Sequence, residues 1–152
     1  MSVDFVPQPV EIVSLTRKDL GRISVGDEAW CRHRPGLLRY LMEEISPTLR
    51  RGSGVHPMTG LPIGMAIHAA IVACDGEHTG IGVCRALTAS LESPMQLDDT
   101  VLSHAVIREI GKRHVTCEAE AFAEENPLRT IAKVSVVLVK VENGKAVNLF
   151  NE

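Results

Sequence analysis

The stretch Thr59-Gly60-Leu61-Pro62-Ile63-Gly64-Met65-Ala66-Ile67-His68-Ala69-Ala70-Ile71-Val72-Ala73-Cys74 decides the fold. Thr59 can cap a helix N-terminus with its hydroxyl, and Pro62 suits a first helical turn. From Ile63 to Cys74 the residues are apolar on every side except at His68. A helix without a polar face has to be covered on all sides. Its alanines and Gly64 let other elements approach closely. Asp75-Gly76 is the expected stop, with Gly76 in the left-handed closing position.

Four extended runs follow: Gly80–Glu92, Thr100–Ile110, His114–Glu124 and Thr130–Val141. The third alternates, with Val115, Cys117, Ala119, Ala121 and Ala123 on one face and Thr116, Glu118, Glu120 and Glu124 on the other. Phe122 is the exception on the polar face. Period-two alternation marks a strand with one face buried and one wet. The fourth run is rich in Val and Ile, as strands are. Ser93-Pro94, Gly111-Lys112 and Asn126-Pro127 separate the runs, and Asn143-Gly144 predicts a tight turn into a short strand near Val147. Strands of about eleven residues are long against the usual five or six, and long antiparallel strands curl. The expected class is α+β: a central apolar helix wrapped by a curved antiparallel sheet.

Upstream the pattern is weaker. Val10–Val13 and Arg22–Val25 suggest short strands. Pro35 opens a helical stripe of Leu37, Leu38, Leu41, Met42 and Ile45, ended by Ser46-Pro47. Residues 1–50 therefore stand as an N-terminal extension, with a helix near 35–45, of one domain spanning 1–152.

Composition narrows the function classes. The net charge of −3 offers no basic face for nucleic acid. Leu61–Cys74 is too short to span a bilayer, which takes about 20 residues. No N-terminal basic region precedes an apolar run, so no signal peptide is expected and the cytoplasm is the default location. Cys31, Cys74, Cys84 and Cys117 form no C-x-x-C pair, and the six histidines show no H-x-x-x-H spacing. Reduced thiols, no metal site and no cofactor are expected.

This element order resembles the hotdog fold, specifically the PaaI-like acyl-CoA thioesterases. In that family a His-Gly-Gly turn opens the central helix and an acidic residue follows about two turns in. Here Thr59-Gly60-Leu61 stands at the first place and His68 at the second. Leu91-Glu92-Ser93-Pro94 is similar to the family's strand end, and Arg108-Glu109-Ile110-Gly111-Lys112-Arg113 to its basic hairpin. The resemblance covers residues 53–141 and implies hydrolysis of an acyl-CoA thioester by a homodimer or a dimer of dimers.

A helix N-terminus supplies free amides and partial positive charge, so the amides of Gly60 and Leu61 are candidates for an oxyanion hole. Two readings stand for His68: a core imidazole bonded to a carbonyl, or a neutral base facing the thioester. Thr59, His56 and Ser53 are candidates for the pocket mouth. Arg85, Lys112 and Arg113 are candidates for the CoA phosphates, each weighed against an ordinary solvated position. A non-hydrolytic acyl-CoA-binding hotdog protein is the alternative. A hotdog dehydratase is a weaker one: His56-Pro57 and Gly60-Leu61-Pro62 resemble the turn in those enzymes, but Leu61–Cys74 holds no Asp or Glu.

Overall fold

The structure is a computed structural model that describes residues 10–34, 60–96 and 99–150. Its elements are β1 (Val10–Thr16), β2 (Glu28–His33), α1 (Leu61–Ala73), α2 (Gly76–Thr79), β3 (Ile81–Leu91), β4 (Val101–Ile110), β5 (His114–Ala123), β6 (Asn126–Glu142) and β7 (Lys145–Ala146). The helix expected near 35–45, and Ser53, His56 and Thr59, lie outside the described residues.

The four long runs are β3, β4, β5 and β6. All pairings are antiparallel and the sheet order is β1-β2-β4-β5-β6-β3, with β7 on β6. Register breaks at Ile12/Ser14 in β1, Cys84/Ala86 in β3 and Ile107/Glu109 in β4 mark bulges. Such bulges bend strands and strengthen twist. The sheet curls, and α1 lies in its concave side.

Alternation decides which residues meet the helix. Val115, Cys117, Ala119, Ala121 and Ala123 of β5 are all buried, as their spacing predicts. Ala132, Val134, Val136 and Leu138 of β6 and Val101, Ser103, Ala105 and Ile107 of β4 line the same side. From α1, Pro62, Met65, Ala66, Ala69, Ala70 and Ala73 are buried. These positions recur at spacings of three and four, so they form one face. Its alanines allow the helix to sit close on the sheet. The opposite face carries Ile63, Gly64, Ile67, His68 and Ile71, and stays partly open. The expected all-round cover is therefore supplied on one side only among the described residues.

The ends of α1 are fixed by what they touch. Met65 packs with Val101, Ala121, Ala123 and Ile131, at the start of β4 and the end of β5. Cys74 meets Cys117 at the other end, with a Sγ–Sγ distance of 3.7 Å.

Three local expectations are corrected. Asp75 (φ 52°), not Gly76, takes the left-handed conformation, and Gly76 opens α2. A Cβ on Gly76 would lie 2.6 Å from the Ile81 carbonyl oxygen, so glycine is held there by close approach rather than by φ. Arg22–Val25 is a loop, not a strand. The buried Asp27 carboxylate accepts from the amides of Lys18 (3.0 Å) and Ser24 (2.9 Å), and Gly26 turns the chain at φ 95°. The last strand of the meander begins at Asn126 rather than Thr130. Asn143-Gly144 does make the expected two-residue turn, both with positive φ, into β7.

Candidate active site

Gly60 is the N-cap of α1, with φ −84° and ψ −17°, and no described side chain caps the helix start. Its carbonyl accepts the first helical bond from Gly64 N at 3.1 Å. Pro62 has no N–H, so the first-turn donors are the amides of Gly60, Leu61 and Ile63. No acidic side chain lies in that turn to neutralise the positive end of the helix dipole. A Cβ built on Gly60 meets no described residue within 4 Å. The backbone needs no glycine here, since φ is ordinary. No described residue fills the space over the first turn.

His68 sits two turns along, on the open face. Its Nδ1 is buried without a hydrogen-bond partner. No described residue bonds this nitrogen. Burial lowers the pKa of His68 from its ordinary value. Beside it stands His33, the last residue of β2, with ring centroids 5.6 Å apart in an edge-to-face arrangement. His33 is 4% exposed and its Nε2 is also unpartnered. Burial, and secondarily the proximity of His68, push the His33 imidazole down to about 4. Both rings are therefore neutral at neutral pH. Ser103 is a further buried polar group of this side. Its Oγ is unpartnered, and it lies on β4 two residues beyond Val101, the register partner of His33.

The sequence reading missed His33 and Ser103. A signal for His33 existed: Ala29, Cys31 and His33 alternate, which puts all three inward once β2 is recognised. Residues 10–34 lacked the apolar periodicity to make that strand evident.

The candidate phosphate contacts are scattered. Arg85 lies at the β3 bulge and is exposed. Lys112 and Arg113 form the β4–β5 hairpin, beyond the C-terminal end of α1. The Lys112 carbonyl accepts from Leu149 N (3.0 Å), and Arg113 Nε donates to Asn148 Oδ1 (3.1 Å). Arg113, Lys140 and Lys145 line a groove of about 620 Å³ at that end. Within one chain this groove is far from Gly60.

Edge strand β3 is unlike the rest. From Gly82 to Leu91 every residue is exposed, including Val83 (48%), Leu87 (46%) and Leu91 (49%). Among the described residues, β6 is its one strand partner.

No protein-family model and no curated protein matches the sequence. Solved structures do match. The PaaI protein of the Escherichia coli phenylacetic acid degradation operon has a TM-score of 0.56 at 17% identity, over 91% of this chain and 83% of that one. A hypothetical thioesterase of Streptococcus pneumoniae, solved with coenzyme A, has a TM-score of 0.58 at 10% identity, over 90% of this chain and 88% of that one. Zebrafish thioesterase superfamily member 2 has a TM-score of 0.57 at 12% identity, over 88% and 82%. No described helix is long and apolar enough to cross a membrane. With one central helix cradled by a long curved antiparallel sheet, and with these structural neighbours, the chain has the hotdog fold and resembles the PaaI-like thioesterases in structure.

Proposed function

We propose that this protein hydrolyses acyl-CoA thioesters. The observation that carries the reading is the start of α1. Free amides converge there at Gly60 on a space that no described residue fills, in a fold shared with proteins named as thioesterases. A thioester carbonyl placed over Gly60 and Leu61 accepts from their amides, and these donors hold the negative charge that develops during attack. Water adds to the carbonyl carbon as His68 takes its proton. The C–S bond then breaks, and the proton passes to the departing CoA sulfur. The products are a carboxylic acid and free CoA. A neutral imidazole can take that first proton, and burial keeps His68 neutral at neutral pH.

One chain does not place both parts together. Leu61 and His68 are seven residues apart, about 10 Å along a helix, whereas a base has to be within about 3 Å of the water it deprotonates. The reading therefore includes a homodimer, or a dimer of dimers, in which the amides of one copy face His68 of the other. The exposed β3 edge supports a second copy pairing there, because long apolar edges left open invite association. Two copies would also bring distant basic groups, Arg85, Lys112 and Arg113, toward a CoA bound across the interface. Thr59, His56 and Ser53 remain candidates for the pocket mouth. The cytoplasm, where CoA esters circulate, is the proposed location.

A panel of aryl, short, medium and long acyl-CoAs with a thiol-detecting assay tests the reading. Turnover above the uncatalysed rate is expected on at least one class. None on any class would overturn it. A second reading, binding without hydrolysis, is favoured by one observation: α1 carries no carboxylate where the resembled family carries one. Saturable binding with intact ester recovered after long incubation would support that alternative instead.

A further inference from the structure

Three buried polar atoms on the concave side lack partners among the described residues: His33 Nε2, His68 Nδ1 and Ser103 Oγ. A buried polar atom left unsatisfied destabilises the fold, and apolar residues of similar size would avoid the loss. Three of them at one end of α1 are not explained by packing. Among the described residues the buried carboxylates are already engaged, Asp27 with the amides of Lys18 and Ser24 and Asp99 with Arg129. Facing the helix, β2 presents Cys31 and His33, and β5 presents Cys117. The fully buried positions of β4 and β6 hold no ionisable side chain, and Lys140, farther along β6, pairs with Glu142. On β1, Glu11 pairs outward with Arg32 and Arg34, and on β3 Cys84 is exposed. From α1 itself, the remaining ionisable group is the Cys74 thiol at the far end, against Cys117.

We propose that His33 is a positioning residue for His68, and that the two imidazoles and the Ser103 hydroxyl form one polar unit with His68 at its open side and His33 behind it. The edge-to-face contact fixes the plane of the His68 ring, and so fixes which nitrogen meets the water. A neutral imidazole has one donor and one acceptor, and the dipole of the His33 ring at its edge, without a hydrogen bond between the rings, biases which nitrogen carries the proton. A charge on His68 also disfavours a charge on His33, so the unit takes its protons one at a time. The catalytic part of this inference rests on the thioesterase reading. The pairing itself does not.

The test uses the full-length chain with two variants. His33→Phe keeps the ring and removes its nitrogens. His33→Gln keeps hydrogen-bonding capacity. Hexanoyl-CoA turnover and nitrogen-15 spectra of labelled histidine side chains are the readouts. His33→Phe is expected to lower kcat by roughly tenfold or more, below the 10²-fold scale of a general base itself, with KM nearly unchanged. It is expected to turn His68 from one tautomer into a mixture, and His33→Gln to restore part of both. His68→Phe should raise the pH at which His33 titrates. A folded His33→Phe protein with the wild-type kcat, pH profile and His68 tautomer would overturn the inference. If the wild type hydrolyses no thioester, the hydrolytic reading fails, and the spectra alone decide the pairing: an altered His68 tautomer supports it and an unaltered one overturns it. If His33→Phe does not fold, His33→Gln carries the same two readouts, with an altered tautomer supporting the inference and an unaltered one overturning it.

Discussion

Gly60→Ala separates what the fold needs from what a substrate needs. The residue has φ −84° and ψ −17°, a conformation alanine adopts freely, and its added Cβ meets no described residue within 4 Å. Alanine is a poorer N-cap than glycine by a few tenths of a kcal/mol, up to about 1. Against that, it reduces the entropy of the unfolded chain by about 0.4–1 kcal/mol. The two nearly cancel, so stability should stay within about 1 kcal/mol, a Tm change of at most ~4 °C for a chain of this size. Turnover should respond differently. A methyl group over the first turn occupies the space where the thioester carbonyl approaches the amides. Losing one such donor costs about 10²–10³ in rate, or roughly 3–4 kcal/mol of barrier. Thermal melting and steady-state kinetics on the best acyl-CoA of the panel measure both quantities. A variant with wild-type melting and wild-type kcat would refute the reasoning, because the open space would then not be substrate space. A variant that unfolds would refute the claim that the space is open.

The remaining predictions concern protonation, the sheet edge and the thiols. His33 titrates near 4 when folded and near 6.5 when unfolded, so the unfolded chain binds more protons between those values. Its contribution to stability is therefore full above pH 6.5 and is lost as pH falls through 6.5 toward 4, on the order of 3 kcal/mol in all; denaturant titrations of His33→Phe should lack that acid-side loss. Leu87→Arg on the exposed β3 edge should shift the protein to monomer in light scattering after size exclusion, and abolish turnover with it; an unchanged oligomer would remove β3 from the interface. Cys31, Cys74 and Cys117 are buried, and the Cys74 thiol is pushed up by its contact with Cys117 and by burial. Mass spectrometry after alkylation at neutral pH should find those three unmodified until the chain is unfolded. Rapid labelling of any of them in the native state would contradict the packing.

How much of this was legible in the sequence varied with the strength of local pattern. The helix was evident because twelve consecutive residues carried one polar side chain. Strand β5 was evident because alanines and glutamates alternated, and the oddity of Phe122 proved to be an outer-face contact with Trp30, centroids 6.2 Å apart. β2 was not evident: Glu28–His33 mixes charge, tryptophan and cysteine, and its inward side is set by pairing with β4, a long-range fact. Missing β2 meant missing His33, and with it the partner of His68. The half-open face of α1 was also invisible to a pattern argument, since isoleucine reads as core whether a sheet or a second copy covers it. Gly60 was legible as the helix mouth. That no described residue obstructs its side is a fact of the folded chain.

The most direct measurement of the central claim is complementation between two defective copies. Gly60→Asp disables the amide end and His68→Ala disables the base, so each homodimer should be inactive. Co-expressed at equal levels, half of the dimers are mixed, and each mixed dimer holds one intact site. The account predicts recovery of about a quarter of wild-type turnover, as expected for a two-fold dimer with sites built from both copies. A mixture as inactive as its components, with mixed dimers demonstrated by differential tags, would contradict it.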